Sequence, residues 1–212
     1  MEKTVVIFAN SVKHNNHCVA GKDIYTKKWI RPVADANGSA LTTQQIQITN
    51  SYKTFPVKPL QKVKIKFLKH APLINQPENY VIKNSTWIQE YNLNKDEIFE
   101  FIDTPKHLWI DGISDNDRVD YQLIKNEQFK IYQSLYLIKV DEIYIYWKDR
   151  SEFGYYPQRR GKFEYKGIIY DLAITDPNFK ELKEQCLYDK ILCVSLGGNF
   201  NGYCYKIIAS II

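Results

Sequence analysis

The chain has 212 residues, 44% of them apolar and 14% aromatic, and a formal net charge of +5. That apolar content excludes wholesale disorder, and the length suits one large domain or two small ones. The apolar stretches fall far short of the roughly 18 residues of a membrane span, so no membrane partner is expected. The first of them, residues 5–9, lacks the basic flank and long apolar core of a secretory leader, so the expected location is the cytoplasm. The cysteines at 18, 186, 193 and 204 suit reduced buried thiols better than a disulfide framework.

The periodicity is mostly that of strands. Residues 4–10 open with a β-branched run, and a polar segment, 10–21, follows it like a loop. Next comes Trp29-Ile30-Arg31-Pro32-Val33, which sets Arg31 between apolar neighbours. Residues 62–67 alternate strictly, which predicts a strand with Lys62, Lys64 and Lys66 on one face and Val63, Ile65 and Phe67 inside. These lysines belong to a basic region: between Asp35 and Glu78 there is no acidic residue but there are six lysines. Residues 1–106 hold 15 Lys and Arg against 9 Asp and Glu, whereas 107–212 hold 14 against 15. One positive surface is therefore expected, with an acidic counterpart over 90–120.

Within that acidic stretch, residues 94–102 predict a helix with Ile98, Phe99 and Ile102 on one face. Residues 136–147 read as one bent strand or two. Residues 163–165 and 168–174 form a hairpin about Lys166-Gly167, because glycine accepts the positive φ of a tight turn. Asp176 as cap and Pro177 as first residue predict a helix to about Cys186. Residues 191–196 and 203–212 flank 197–202 as a closing hairpin. The chain is thus mainly β with short connecting helices, in a sandwich or barrel. No linker, repeat or low-complexity tract interrupts it.

Two segments carry polar chemistry. Lys13 and Arg31 suit an anion, with Ser11 and Cys18 lining the same pocket; the plainer alternative packs Cys18 in the core and pairs Arg31 with an acid. At the other end, Gly197 and Gly198 allow close backbone approach, Tyr203 and Tyr205 offer stacking faces, and Lys206 adds a cation. The spacing is neither a phosphate loop nor a dinucleotide fingerprint. Arg159 and Arg160 follow Tyr155 and Tyr156, a basic and aromatic mixture suited to single-stranded nucleic acid or simply to a solvated loop. His14, His17 and Cys18 lack the paired ligands of a structural zinc, so no metal or cofactor is expected. Adjacent His17 and Cys18 would point to opposite faces of a strand, which weakens a nucleophile reading.

Three blocks occur in order: Ser11-x-Lys13-x4-Cys18-x-Ala20-Gly21 with Trp29-Ile30-Arg31-Pro32-Val33; Phe163-x-Tyr165-x-Gly167-x2-Tyr170-x-Leu172-x2-Thr175-Asp176-Pro177; and Cys193-Val194-Ser195-Leu196-Gly197-x2-Phe200-x-Gly202-x-Cys204-Tyr205-Lys206. Together they resemble the dual OB-containing domain family from end to end. The resemblance implies two fused OB-like five-stranded barrels, over 1–106 with the basic face and acidic helix and over 107–212, with sharing of the first and last strands left open. It also implies a bacterial, defence-associated or mobile-element setting, a protein partner from the same operon, and nucleic-acid or nucleotide binding. Lys13, Cys18, Arg31, Gly197, Tyr205 and Lys206 fall in the family pattern.

The expected function is a binding module for single-stranded nucleic acid, a nucleotide or a modified base. Ser11, Lys13, Cys18, Arg31, Gly197, Gly198, Tyr203, Tyr205 and Lys206 would surround one cleft where the chain ends meet. Lys62, Lys64, Lys66, Arg159 and Arg160 would follow a phosphate backbone. The alternatives are a cysteine-dependent enzyme using Cys18 and Lys13, and a structural adaptor whose 90–120 segment docks a basic partner.

Overall fold

The computed structural model describes residues 1–13, 16–109, 116–179 and 183–212, without the side chains of Lys13 and Phe153. In the N-terminal half, β1 (Glu2–Lys13), β2 (Asn16–Asp23) and β3 (Trp29–Val33) form an antiparallel meander. The short β4 (Gln47–Thr49) and β5 (Thr54–Pro56) precede β6 (Gln61–His70), β7 (Asn79–Ile82) and β8 (Trp87–Asn92). β3 pairs with β7 in parallel, β7 with β6 and β6 with β1 antiparallel, which closes a five-stranded ring; β8, β4 and β5 extend it from β6.

The C-terminal half repeats the circuit. β9 (Arg118–Asp120) leads into a helical turn, α1 (Tyr121–Lys125), whose Gln122 amide is capped by the Asp120 carboxylate. β10 (Leu135–Lys148), β11 (Gln158–Tyr165) and β12 (Ile168–Ile174) form the meander, followed by β13 (Gln185–Phe200) and β14 (Tyr203–Ile211). β12 pairs with β14 in parallel, and β14–β13 and β13–β10 antiparallel pairs close the ring. The protein is therefore two closed five-stranded barrels of the same OB-like winding, joined by short helical turns.

Sequence pattern explains both barrels. On β6, Val63, Ile65 and Phe67 are buried in the first core as the period-two pattern predicts. β1 is buried on both faces: Val5 and Ile7 fill the first barrel, while Val6, Phe8 and Ala9 face the second. That double burial is why it reads as a continuous apolar run. Two tight hairpins use two consecutive positive-φ residues, Lys166-Gly167 and Asn201-Gly202, the turn whose twist matches paired strands.

A third core lies between the barrels, where Phe8, Ala20 and Trp29 meet Leu135, Leu137 and Cys193, with Ile98 and Phe101 of the connecting segment. Asp103 pins this layer. One oxygen accepts from Lys22 Nζ at 2.6 Å and the other from Trp29 Nε1 at 3.0 Å and the Leu137 amide at 2.8 Å. Burial lowers the Lys22 pKa, and Asp103 opposes that shift. Ser210 donates to the Phe8 carbonyl across the same boundary.

Several local expectations differ from the fold. The polar 10–21 segment is largely strand, since β1 runs on to Lys13 and pairs antiparallel with β2 from Asn16 onward. Of the two alternatives for residues 136–147, the structure has one long strand, Leu135–Lys148. The acidic helix is a 3-10 turn, Asp96–Phe101, that buries Ile98 and Phe101 and leaves Phe99 exposed. Among the described residues the helix after Asp176 is the turn Pro177–Phe179, and Cys186 lies on β13. Asp176 does accept from the Asn178 amide at 2.9 Å, but its second oxygen takes the Ile211 amide at 3.0 Å, so it also anchors β14. Among the described residues no helix is long and apolar enough to cross a membrane.

Candidate functional site

A cavity of about 620 Å³ opens between the barrels. The first barrel supplies Ala9 and Ser11 of β1, Cys18 and Ala20 of β2, Arg31 of β3 and Gln76 of the β6–β7 loop. The second supplies residues from β9 to β14, among them Arg118, Arg160, Ala173, Ser195, Gly197, Gly198, Tyr205 and Lys206. Small residues contribute to both walls, Ala9 and Ala20 from the first barrel and Ala173 and Ala209 from the second.

Arg31 sits at the junction. Its Nε and Nη2 each donate to Glu78 Oε1 at 3.3 Å, and Nη2 also reaches Ser134 Oγ at 2.9 Å and Ser195 Oγ at 3.2 Å. Glu78 is held in turn by the Ser134 amide at 3.2 Å and hydroxyl. Arg31 is thus both acid-paired and cavity-lining, which joins the two alternatives posed by its sequence context. Its Nη1 forms no hydrogen bond among the described residues.

On β13 and β14 the pairing jumps from Leu196–Lys206 to Asn199–Cys204, so Gly197 and Gly198 bulge opposite Tyr205. A Cβ on Gly198 would meet nothing within 4 Å, so space within the chain does not demand glycine there. Beyond the bulge, Phe200 and Tyr203 each lie 6.4 Å from the Tyr205 ring centre, and the Arg118 guanidinium lies 4.9 Å from it. Tyr203 stands beside this cluster rather than lining the cavity.

Arg31, Arg118, Lys148, Arg150, Arg160 and Lys206 line the cavity against one carboxylate, Asp117. Internal pairs temper part of that field. Arg118 contacts Asp117 at 2.8 Å, and Arg160 contacts Asp171 at 2.9 Å. Tyr146 also donates to Asp171 at 2.7 Å, and burial with that bond pushes its hydroxyl up to about 12. Lys206 is buried, its Nζ 5.3 Å from the Tyr170 ring centre. Lys148 and Arg150, at the β10–β11 connection, form no ion pair among the described residues; Arg150 lies 4.7 Å from the Tyr155 ring centre.

Other expected site residues lie elsewhere. Lys13 belongs to β1, but its side chain falls outside the described residues. Arg159 turns from the cavity to donate to the Asp176 carbonyl at 2.9 Å. Part of the basic face of β6 is engaged by neighbouring side chains. Lys62 is buried against Tyr91 at 2.6 Å and Glu97 at 3.1 Å, Lys64 is half-buried and pairs with Glu90 at 2.8 Å, and Lys66 is exposed. The acidic segment expected to dock a partner supplies these partners: Glu90, Glu97, Glu100 and Asp103 all pair with lysines of the first barrel. Sequence reasoning missed Arg118, embedded among acids, and Lys148 and Arg150, whose signal was a pair of cations ending an aromatic strand.

Cys18 lines the cavity, but no hydrogen bond reaches its thiol among the described residues. His17 faces away, its Nδ1 2.8 Å from Asn10 Oδ1 and its Nε2 3.4 Å from the Thr43 hydroxyl. Burial pushes the Cys193 thiol up to about 12 and Cys204 to about 11, so neither is a thiolate near neutrality. Among the described residues no cluster of three His, Cys, Asp or Glu could hold a metal ion.

The chain matches the dual OB-containing domain over residues 3–211 and belongs to that family. No curated protein matches it by sequence. Among solved structures it is similar to a murine DNA-binding protein bound with double-stranded DNA, at 9% identity and a TM-score of 0.33, covering 100% of this chain and 97% of that one.

Proposed function

We propose that this member of the dual OB-containing domain family binds nucleic acid in the cleft between its barrels, as a single strand or a nucleotide rather than a duplex. Family membership supports nucleic-acid binding in general. OB barrels bind oligonucleotides on the face of their second and third strands and at the loops after the first and fourth. In the first barrel these are β2, β3 and the β6–β7 loop; in the second they are β11, β12 and the β10–β11 connection. The observation that carries the reading is that all of these contribute to one cavity.

The lining chemistry supports the same ligand. Cations follow phosphates while Phe200 and Tyr205 offer faces to bases. Two opposed barrel walls favour an unpaired base over a stacked pair, and a net charge of +5 is modest for duplex binding through many phosphates. Fluorescence anisotropy with a mixed-sequence single strand and its duplex tests this. The single strand is expected to bind about tenfold tighter or more, with affinity falling as salt rises. Equal or tighter duplex binding overturns the proposal, as does failure of the strand, the duplex and free nucleotides alike to bind.

A further inference from the structure

We infer that the cleft is a slot for one nucleobase, in which Arg31 reads a keto edge while the phosphates stay at the mouth. This rests on the proposed nucleic-acid binding and assigns the chemistry of its ligand. The walls come first. Ala9 and Ala20 of the first barrel and Ala173 and Ala209 of the second all line the cavity, so each wall has an apolar part made of small groups. That suits a flat ring, which buries both faces there without displacing protein side chains.

Charge then divides the ligand. Arg31 is only 7% exposed and already neutralised by Glu78, so it offers little net field to a phosphate. What it offers is direction: Glu78, Ser134 and Ser195 fix the guanidinium, and its Nη1 carries two N–H donors with no partner among the described residues. Ser195 accepts from Arg31, which leaves its own hydroxyl proton available to the ligand. Donors without a countering acceptor select acceptors. A 6-keto purine presents O6 beside N7, both acceptors, whereas adenine puts an amino donor in place of O6. The charges left for phosphates are Lys148 and Arg150, at the connection rather than among the alanines.

The same chemistry could arrive as a base turned out of a strand or as a free nucleotide. The test uses an oligo-deoxyadenosine strand, the same strand with one hypoxanthine, and inosine and adenosine monophosphates, each titrated against the full chain. The hypoxanthine strand is expected to bind about tenfold tighter than the adenine strand. In Ala173→Leu, which fills the slot from a half-buried position, that ratio falls to about one. Gly198→Val narrows the slot from the β13–β14 hairpin and serves if the leucine variant does not fold. A keto preference among the monophosphates identifies a free nucleotide as a sufficient ligand; a preference confined to strands identifies an extruded base. Strands that bind with a ratio near one, or a ratio untouched by both variants, overturn the slot and leave the proposed function standing. Failure of every strand and nucleotide to bind overturns both.

Discussion

The two barrels share one winding and use it differently. In the first, the cations nearest the cleft are neutralised from within: Arg31 by Glu78, with Lys22 by Asp103 and Lys62 by Glu97 behind it. In the second, Lys148 and Arg150 keep their charge toward solvent, and an aromatic hairpin stands beside them. The contrast teaches that net charge per half is a poor guide to where a polyanion would bind. The N-terminal half is the more basic in sequence, yet much of that excess is spent on internal pairs.

The largest expected effect comes from breaking the joint between the barrels. Glu78→Ala removes the partner of a buried guanidinium that also contacts Ser134 and Ser195 of the other barrel. An uncompensated buried charge costs about 3–5 kcal/mol, to be read as a lower urea midpoint. A change below about 1 kcal/mol would show that Arg31 does not depend on this pair.

A smaller effect sharpens the contrast in charge. Lys148→Gln with Arg150→Gln should reduce the salt slope of single-strand binding by about 1.4, roughly 0.7 for each lost phosphate contact. Lys64→Gln with Lys66→Gln should leave that slope unchanged, because β6 lies away from the cleft. The reverse pattern would return the binding surface to β6.

The smallest effect is confined to the second barrel, which holds both fully buried thiols. Burial raises Cys193 and Cys204 from an ordinary 9.0 to about 12 and about 11. Between those limits the native thiols keep protons that the unfolded chain has lost. Their contribution is thus fully present below pH 9 and fades as pH rises through about 11. Urea unfolding should show stability falling over that window, and Cys204→Ala should make the fall shallower. An unchanged fall would assign it to other groups.

What the sequence could reveal follows from range. The β6 register and the Lys166-Gly167 and Asn201-Gly202 turns are set by neighbouring residues, so alternation and glycine placement report them directly. The pairing of Lys62 with Glu97 is also written in the chain, as a basic tract and an acidic one. Nothing local says that the 3-10 turn folds back to join them. Short strands such as β4, β5 and β7 span too few residues to show a period. Segments holding Ser11, Cys18, Arg31, Gly197 and Lys206 stand out for their polar density or glycines, and the structure gathers these residues about one cavity. The alanines that line the cavity carried no such signal, since a small apolar residue gains meaning only when the wall opposite it is known.

The central claim is that both barrels grip one ligand, and amide hydrogen exchange with and without a saturating single strand tests it most directly. Protection is predicted together in residues 18–20 and 30–32 of the first barrel and in 195–206 of the second, with 62–66 unchanged. Protection confined to 62–66, or to one barrel alone, would contradict it.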